Sequence, residues 1–400
     1  MSDNANPSAK YHLIASQDEL AATCSLMAQA PYVTVDTEFM RERTYWPQLC
    51  LVQLARPLDD SGQENAVIID PLADLDLTPL FDLMRDTSVL KVFHAARQDV
   101  EIFVKLMGDV PQPLFDTQIA AMVCGYGDQV GYETLVKSIV KQGLDKSSRF
   151  TDWARRPLSA KQLSYAVGDV THLRVIYEKL AADLAGNGRT HWVSSETDTL
   201  NARETYVIEP KDAWQRLKTR STDGRFLGVA RALAEWRERE AQGRDVPRGR
   251  ILKDDAVLEI AAARPTTREQ LLASRSLQRE GRKSETCEAI LAVVQEGLSN
   301  PVRNVPEPPR KHNKQGGQAV AELLRVLLKA RADDLGVAQR LIASASDLDE
   351  LVYGDEDIAR ALKGWRREAF GDDALRLKRG EIGLAVGRKG VRVIPLQQEE

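Results

Sequence analysis

Residues 32–38, YVTVDTE, alternate apolar and polar positions and are rich in β-branched types, which predicts a strand with one face turned inward. Two short apolar runs, LCLVQLA (49–55) and AVIID (66–70), follow with turn-forming residues between them, and this predicts a meander. Helical spacing near 79–87 leads to another strand, VLKVFHA (89–95), and then to a helix over about 97–107. From about 116 to 184 the spacing is mostly helical, interrupted by Gly- and Pro-containing turns. Strands first and helices after them predict a three-layer α/β domain, a mixed central sheet flanked by helices.

After about residue 205 the strand signals nearly vanish. FLGVARALAEWREREAQ (226–242) and AVLEIAAAR (256–264) carry apolar residues at helical spacing. SNPVRNVPEPPRKHNKQGG (299–317) is a linker by composition, and helical spacing resumes in VAELLRVLLKARADDLGVAQRLIAS (320–344). The two helical regions resemble a weak repeat about 95 residues apart, longer than a solenoid period, which points to two duplicated small all-α domains. The predicted division is an α/β domain over 1–205, a first helical domain over 206–298, the linker 299–317, and a second helical domain with a tail over 318–400. Within that tail, RLKRGEIGLAVGRKGVRVIPL (376–396) predicts a small hairpin.

Composition adds an asymmetry. The net charge of −4 hides a first half, residues 1–200, with 18 Lys+Arg against 27 Asp+Glu (−9) and a second half with 37 against 32 (+5). An acidic half beside a basic half fits a carboxylate-rich metal site joined to a module that contacts polyanions, although two ordinary solvated surfaces fit as well. No apolar run approaches membrane-span length, and MSDNANPSAK lacks the apolar core of a signal peptide. The four scattered cysteines, Cys24, Cys50, Cys124 and Cys287, have neither zinc nor redox spacing, so reduced thiols in a cytoplasmic protein are expected.

The chemistry lies in the acids. Asp36 and Glu38 stand at i and i+2 of the first strand, so their side chains share a face, while Val33 and Val35 point the other way. Adjacent carboxylates repel, and a hard divalent cation relieves that repulsion. Asp99 follows the strand VFHA at the start of a helix, where a carboxylate that complements the helix dipole is the plainer reading. Tyr165 and Asp169 are spaced i, i+4 in LSYAVGDV and share one helical face, as any surface pair would.

Taken in order, strand D-x-E, Asp after a strand–helix turn, and helical Y-x-x-x-D resemble the DEDD exonuclease superfamily in its tyrosine subclass. VDTEFMRERTYWPQLCLVQLA (35–55), KVFHAARQDVEIF (91–103) and DKSSRFTDWARRPLSAKQLSYAVGDV (145–170) look like the ribonuclease D family. WREREAQGRDVPRGRILKDDAVLEIA (236–261) resembles the helical nucleic-acid-binding HRDC domain. The resemblance spans roughly 12–370. It implies an RNase H-like exonuclease fold followed by two HRDC-type domains, and 3′→5′ exoribonuclease activity releasing nucleoside 5′-monophosphates. It further implies two divalent ions, Mg²⁺ or Mn²⁺, held by Asp36, Glu38, Asp99 and Asp169, with Asp36 bridging and Tyr165 orienting the attacking water. The substrate it implies is RNA, with 3′-extended tRNA precursors foremost. A monomer is the simpler expectation for an enzyme with covalently linked binding domains.

Further residues are candidates for RNA contacts. Phe39 and Met40 follow the strand acids and are placed to pack on the terminal base or sugar. His94 and Gln98 flank the second motif, within reach of phosphate or ribose, with core packing and helix-start hydrogen bonding the equal alternatives. Lys146, Arg149, Trp153 and Arg156 mix cationic and aromatic character in a loop-like stretch, which suits single-stranded RNA; a core anchor is the alternative for Trp153. Arg244, Arg248, Arg250 and Lys253 form a basic cluster suited to RNA phosphates, or a solvated loop. Two other functions stay open at this point, a DNA 3′→5′ exonuclease and a non-catalytic nucleic-acid-binding scaffold. The first lacks any G-x-x-x-x-G-K-[ST] companion motif, and the second leaves clustered like charges without a purpose.

Overall fold

The computed structural model describes residues 11–59, 65–145, 148, 151–277, 280–303, 317–354, 356, 359–388 and 390–396. Six strands form one mixed sheet: β1 (Tyr11–Ile14), β2 (Tyr32–Met40), β3 (Gln48–Ala55), β4 (Ala66–Ile69), β5 (Leu90–Phe93) and β6 (Leu114–Asp116), in the order β1-β4-β3-β2-β5-β6. The predicted meander is β2-β3-β4, antiparallel throughout; β1 joins β4, β5 joins β2 and β6 joins β5, each as a parallel neighbour. The edge strands β1 and β6 were not expected. At four and three residues they are too short for a period-two pattern to show.

Alternation along β2 decides which layer each residue meets. Val33 and Val35, with Val52 and Leu54 of β3, pack under α1 (Gln17–Met27), α2 (Thr78–Arg85) and α3 (Arg97–Met107). After β6 follow α4 (Thr117–Val123) and the single turn α5 (Tyr132–Leu135). The opposite sheet face, with Leu51, Ala55 and Ile68, packs against Ala166, Val167 and Val170 of the long helix α6 (Ala160–Asn187). Ser159 and Gln162 close a capping box at the start of α6, and Gly188, at φ +71, ends it in the left-handed conformation. Helix α7 (Thr190–Asn201) follows.

The next five helices, α8 (Gly224–Gly243), α9 (Arg248–Ile251), α10 (Asp254–Ala263), α11 (Arg268–Leu272) and α12 (Ser284–Ser299), enclose their own core around Leu233, Val257, Ile260 and Ile290. Helices α8 and α12 cross at glycines. A Cβ on Gly297 would lie 2.5 Å from Val229 Cα, and one on Gly228 2.6 Å from Gly297 O, so the backbones touch and neither position admits a side chain. The succession of long helix, one-turn helix and shorter helix recurs in α13 (Gln318–Leu335), α14 (Gln339–Ile342) and α15 (Ala345–Tyr353), before α16 (Asp372–Lys378) and the hairpin β7 (Ile382–Gly387)–β8 (Gly390–Pro395) expected in the tail. Most of the sequence expected as a linker, 304–316, lies outside the described residues.

The two helical groups attach differently. The second shares a continuous core with the α/β unit: Leu324, Leu327, Leu341 and Phe370 pack with Val123, Leu135, Ile176 and Val193. Trp192 stacks on Trp365 at 4.1 Å, and Glu196 accepts from Trp365 Nε1, Arg360 and Arg366. The first group is hooked through the β2–β3 loop. Asp245 Oδ1 accepts from the backbone N–H groups of Tyr45 and Trp46, each at 3.0 Å, and the Tyr45 hydroxyl donates to Glu238. The four cysteines are free thiols, and among the described residues no helix is long and apolar enough to cross a membrane.

Candidate active site

The face of β2 turned toward α6 carries Thr34, Asp36 and Glu38 in sequence. Thr34 is buried, and its hydroxyl donates to Val170 O at 2.9 Å, with Ala55 O also within 3.2 Å. That bond pins α6 to β2 one residue beyond Asp169, so strand and helix present their acids to a common point. Pairing between β2 and β3 shifts register between Glu38 and Phe39, and such an irregularity re-aims the side chains that follow it. Tyr165 precedes Asp169 by one helical turn on the same side of α6.

Helix α3 brings Asp99 in its first turn. Its entry is held by Asp116, whose two carboxylate oxygens accept from Ala95 N at 3.0 Å and Ala96 N at 2.9 Å, while Gln118 N donates to Oδ1 at 2.7 Å. Ala95 sits at φ +55, a conformation disfavoured for a non-glycine residue and retained here by that clamp. The carboxylate of Asp99 accepts from Thr37 Oγ1 at 2.5 Å, which ties α3 to the middle of β2.

The result is a compact acidic cluster. One oxygen from each of Asp36, Glu38 and Asp169 lies within 4.8 Å of the others, and Asp99 stands beside them, turned to Thr37. Burial, reinforced by Asp169, Asp99 and Glu38, holds the Asp36 carboxyl well above the usual carboxylate range. Burial and the charges of Asp169 and Asp99 push Glu38 up to about 9. Burial raises Asp99 to about 7 against the hydrogen bond from Thr37. Alone, such a group holds protons; a divalent cation displaces them and balances the charge. An all-oxygen donor set with no sulfur or imidazole suits Mg²⁺ or Mn²⁺.

Asp36, Glu38 and Asp169 line a cavity of about 650 Å³. Phe39, Met40, His94, Gln98, Trp153 and Tyr165 line it too, so these sequence candidates gather at one place. Burial lowers the His94 pKa, which keeps the ring neutral. Its Nδ1 lies 3.0 Å from Thr117 Oγ1, which itself donates to Phe93 O, so Nδ1 carries the proton and Nε2 is an acceptor. Trp153 is 3% exposed and packs with Ala166 and Val167, 6.2 Å from the Tyr165 ring, so it is a core anchor as well as a wall. Arg156 is not among the residues that line this cavity. Its guanidinium binds both Asp70 carboxylate oxygens at 2.6 and 2.7 Å and the carbonyls of Cys50, Trp153 and Arg155, a set that consumes its donors in the fold. Lys146 and Arg149 lie outside the described residues. Arg248 and Arg250 stand apart from the cavity on α9; Arg248 is half-buried, 3.9 Å from Glu238, and Arg250 is exposed.

Sequence reasoning missed four residues. Thr37 and Asp116 are described above. Tyr132 is half-buried, and its hydroxyl donates to Asp169 O at 2.6 Å, with Gly168 O at 3.2 Å, so it fixes the backbone that carries Asp169. Gln53 faces Asp36 across the β2–β3 ladder, is fully buried, and neither its amide nitrogen nor its oxygen has a hydrogen-bond partner among the described residues. Only Gln53 left a signal in the sequence, as a polar residue interrupting the run LCLVQLA.

Similarity to known proteins extends over the whole architecture. Residues 11–185 match the family described as 3′-5′ exonuclease, and residues 226–294 match the HRDC domain. The chain is 54% identical over 385 residues to the ribonuclease D of Jannaschia sp., covering 96% of this chain and 99% of that one. It is 48% identical to the ribonuclease D of Granulibacter bethesdensis, covering 96% of each. Among solved structures it is similar to Escherichia coli RNase D, described as an exoribonuclease involved in structured RNA processing, with a TM-score of 0.79, 29% identity, and coverage of 92% of this chain and 99% of that one.

Proposed function

The chain belongs to the ribonuclease D family and is a metal-dependent 3′→5′ exoribonuclease, and from that premise we propose that it matures the 3′ ends of structured RNAs in the cytoplasm, tRNA precursors foremost, acting as a monomer. Supporting the choice of substrate is the Escherichia coli relative, described as acting in structured RNA processing.

In this reading Asp36, Glu38, Asp99 and Asp169 hold two divalent ions. When bound, the ions supply the charge that activates water and stabilises the leaving 3′ oxygen. The protein's own part is placement. Thr34 and Tyr132 fix the segment of α6 that bears Asp169, and Thr37 and Asp116 fix α3 and its Asp99. Tyr165, one turn before Asp169, hydrogen-bonds and orients the attacking water. Its phenol is not the base, because an ordinary phenol near pKa 10 is a weak proton acceptor at neutral pH. Phe39, Met40 and the neutral His94 line the space for the terminal nucleotide. Residues 1–205 carry the chemistry, and the helical domains 206–298 and 318–400, joined by 299–317, hold the rest of the RNA.

The observation that carries this reading is the meeting of three carboxylates from β2 and α6 within 4.8 Å. The test is a 3′-extended tRNA incubated with purified protein and Mg²⁺ or Mn²⁺. The expected product is a ladder shortening one nucleotide at a time with release of nucleoside 5′-monophosphates, abolished by EDTA and by Asp36→Asn. An unchanged rate in Asp36→Asn rejects the metal site, and a matched DNA strand cut faster than RNA rejects the substrate class.

A further inference from the structure

The β7–β8 hairpin is a cationic projection of the second helical group. Its inner side is anchored: Ile382 is buried, and Leu384 and Val393 pack against the core that contains α13. Its outer end is not, with Val386 88% exposed. Between the hairpin and the C-terminal half of α13 lies an open groove of about 940 Å³, lined by Arg331, Asp334, Arg388 and Arg392 among others.

Charge is unbalanced along this groove. Arg331 is held by Asp373 and by Asp334, the latter at 3.7 Å, which uses the acids at hand. Arg388 and Arg392 are exposed and have no hydrogen-bond or ion-pair partner among the described residues. The hairpin sequence IGLAVGRKGVRVIP (382–395) contains three cations and no acid. Both arginines line the groove. A Cβ on Gly387 would lie 2.9 Å from Arg392 Cδ, so the Arg392 stem runs across that glycine toward the tip. Gly390 opens β8 at φ +130, a conformation L side chains rarely adopt.

The chemistry of the surface selects its partner. Neither hairpin nor groove contains an aromatic side chain, so neither offers a platform on which unpaired bases stack. What it offers is guanidinium, which binds phosphate, and the target in which phosphates are displayed while bases are already stacked is a duplex. None of the hairpin's described residues lines the catalytic cavity, so the segment it meets lies upstream of the terminal nucleotide. We propose that the β7–β8 hairpin, through Arg388 and Arg392, binds the phosphate backbone of a base-paired part of the RNA whose unpaired 3′ end is being trimmed. This rests on the ribonuclease reading above and specifies how the body of the substrate is held.

The test compares full-length wild type, R388A/R392A and R388E/R392E on two RNAs, a stem-loop with an unpaired 3′ tail and an unstructured oligonucleotide of the same tail sequence. Binding is measured in EDTA, where no strand is cut, across a salt series; trimming is measured with Mn²⁺. Both variants should melt with the wild type, since the side chains are exposed and unpaired. The charge reversal should weaken stem-loop binding about tenfold, and the alanine pair less. In both, the plot of log Kd against log salt should flatten by about two, one per lost phosphate contact. Trimming of the unstructured oligonucleotide should be unchanged. Stem-loop affinity and salt slope equal to wild type overturn the proposal, and so does an equal loss on both RNAs, which would assign the hairpin to the unpaired tail. Wild-type protein that trims neither RNA overturns the ribonuclease reading instead, while the binding comparison still decides the hairpin.

Discussion

The Thr37 hydroxyl donates to Asp99 Oδ1 from the strand residue between Asp36 and Glu38, so β2 supplies two acids to the cluster and positions a third. This bond favours the ionised form of Asp99 against the burial that raises it to about 7. Thr37→Val removes the donor without changing shape much, and the Asp99 pKa then rises further. A hydrogen bond to a charged group contributes about 1.5–3 kcal/mol, so kcat/KM near pH 7 should fall roughly tenfold or more. The acid limb of the pH–rate profile should move to higher pH, and Thr37→Ser should restore it. A Thr37→Val profile that overlays the wild type removes Thr37 from the site.

The raised carboxylates also set a pH dependence of stability. Glu38 stands at about 9 and Asp99 at about 7 in the fold, both above the ordinary range, so the folded protein without divalent ions keeps protons that the unfolded chain releases. Their contribution is complete below the unfolded pKa near 4 and is lost as pH rises through 7 and then 9. The melting temperature in EDTA should therefore fall between pH 6 and 9. Cations replace those protons, so the gain in melting temperature from Mn²⁺ should be larger at pH 8.5 than at pH 6.5. Calorimetric titration in buffers of different ionisation enthalpy should detect proton release. An Mn²⁺ stabilisation independent of pH contradicts the account.

How much of this was readable beforehand follows the range of each interaction. Asp36 and Glu38 announce a common face through the alternation of YVTVDTE, and α3 runs over the predicted 97–107. Tyr132 gave no such sign, because what it holds is a backbone carbonyl 37 residues further on. Arg156 read as a free cation beside an aromatic residue, but its partner Asp70 lies 86 residues earlier, beyond any local pattern. The apolar stripe of α13 predicted a core without saying whose; in the structure it belongs to one core that also takes in residues of α4, α6 and α7. Local periodicity therefore conveyed the four inner strands and the long helices, while the order of the motifs, not their spacing, suggested that the acids meet.

Gln53 offers a test in which stability and metal binding move in opposite directions. Its amide is fully buried with both polar atoms unpaired, and leaving such groups unsatisfied costs about 1–3 kcal/mol. Opposite residues in an antiparallel ladder share a face with Cβ atoms about 5 Å apart, which sets the amide beside Asp36. Gln53→Leu should raise the melting temperature in EDTA by a few degrees and weaken Mn²⁺ binding several-fold, because the polar support of Asp36 is gone. Lower stability in Gln53→Leu would mean that the amide is satisfied in solution, and unchanged Mn²⁺ affinity would mean that it does not serve the site.

Glu196 joins α7 to the C-terminal helices by accepting from Arg360, Arg366 and Trp365 Nε1. The side chains of Glu196 and Arg366 are 9% and 7% exposed, so Glu196→Gln leaves a buried guanidinium without its counter-charge. Breaking one side of a buried pair costs about 3 kcal/mol or more. Two units with separate cores would respond with a second, lower melting transition. The core here is continuous from Ile176 and Val193 to Leu327 and Phe370, so the loss should lower one cooperative transition by several degrees without splitting it. Calorimetry of Glu196→Gln that resolves an early peak for the C-terminal helices would show the shared core to be too weak to couple them. An unchanged melting temperature would show that the clamp contributes nothing.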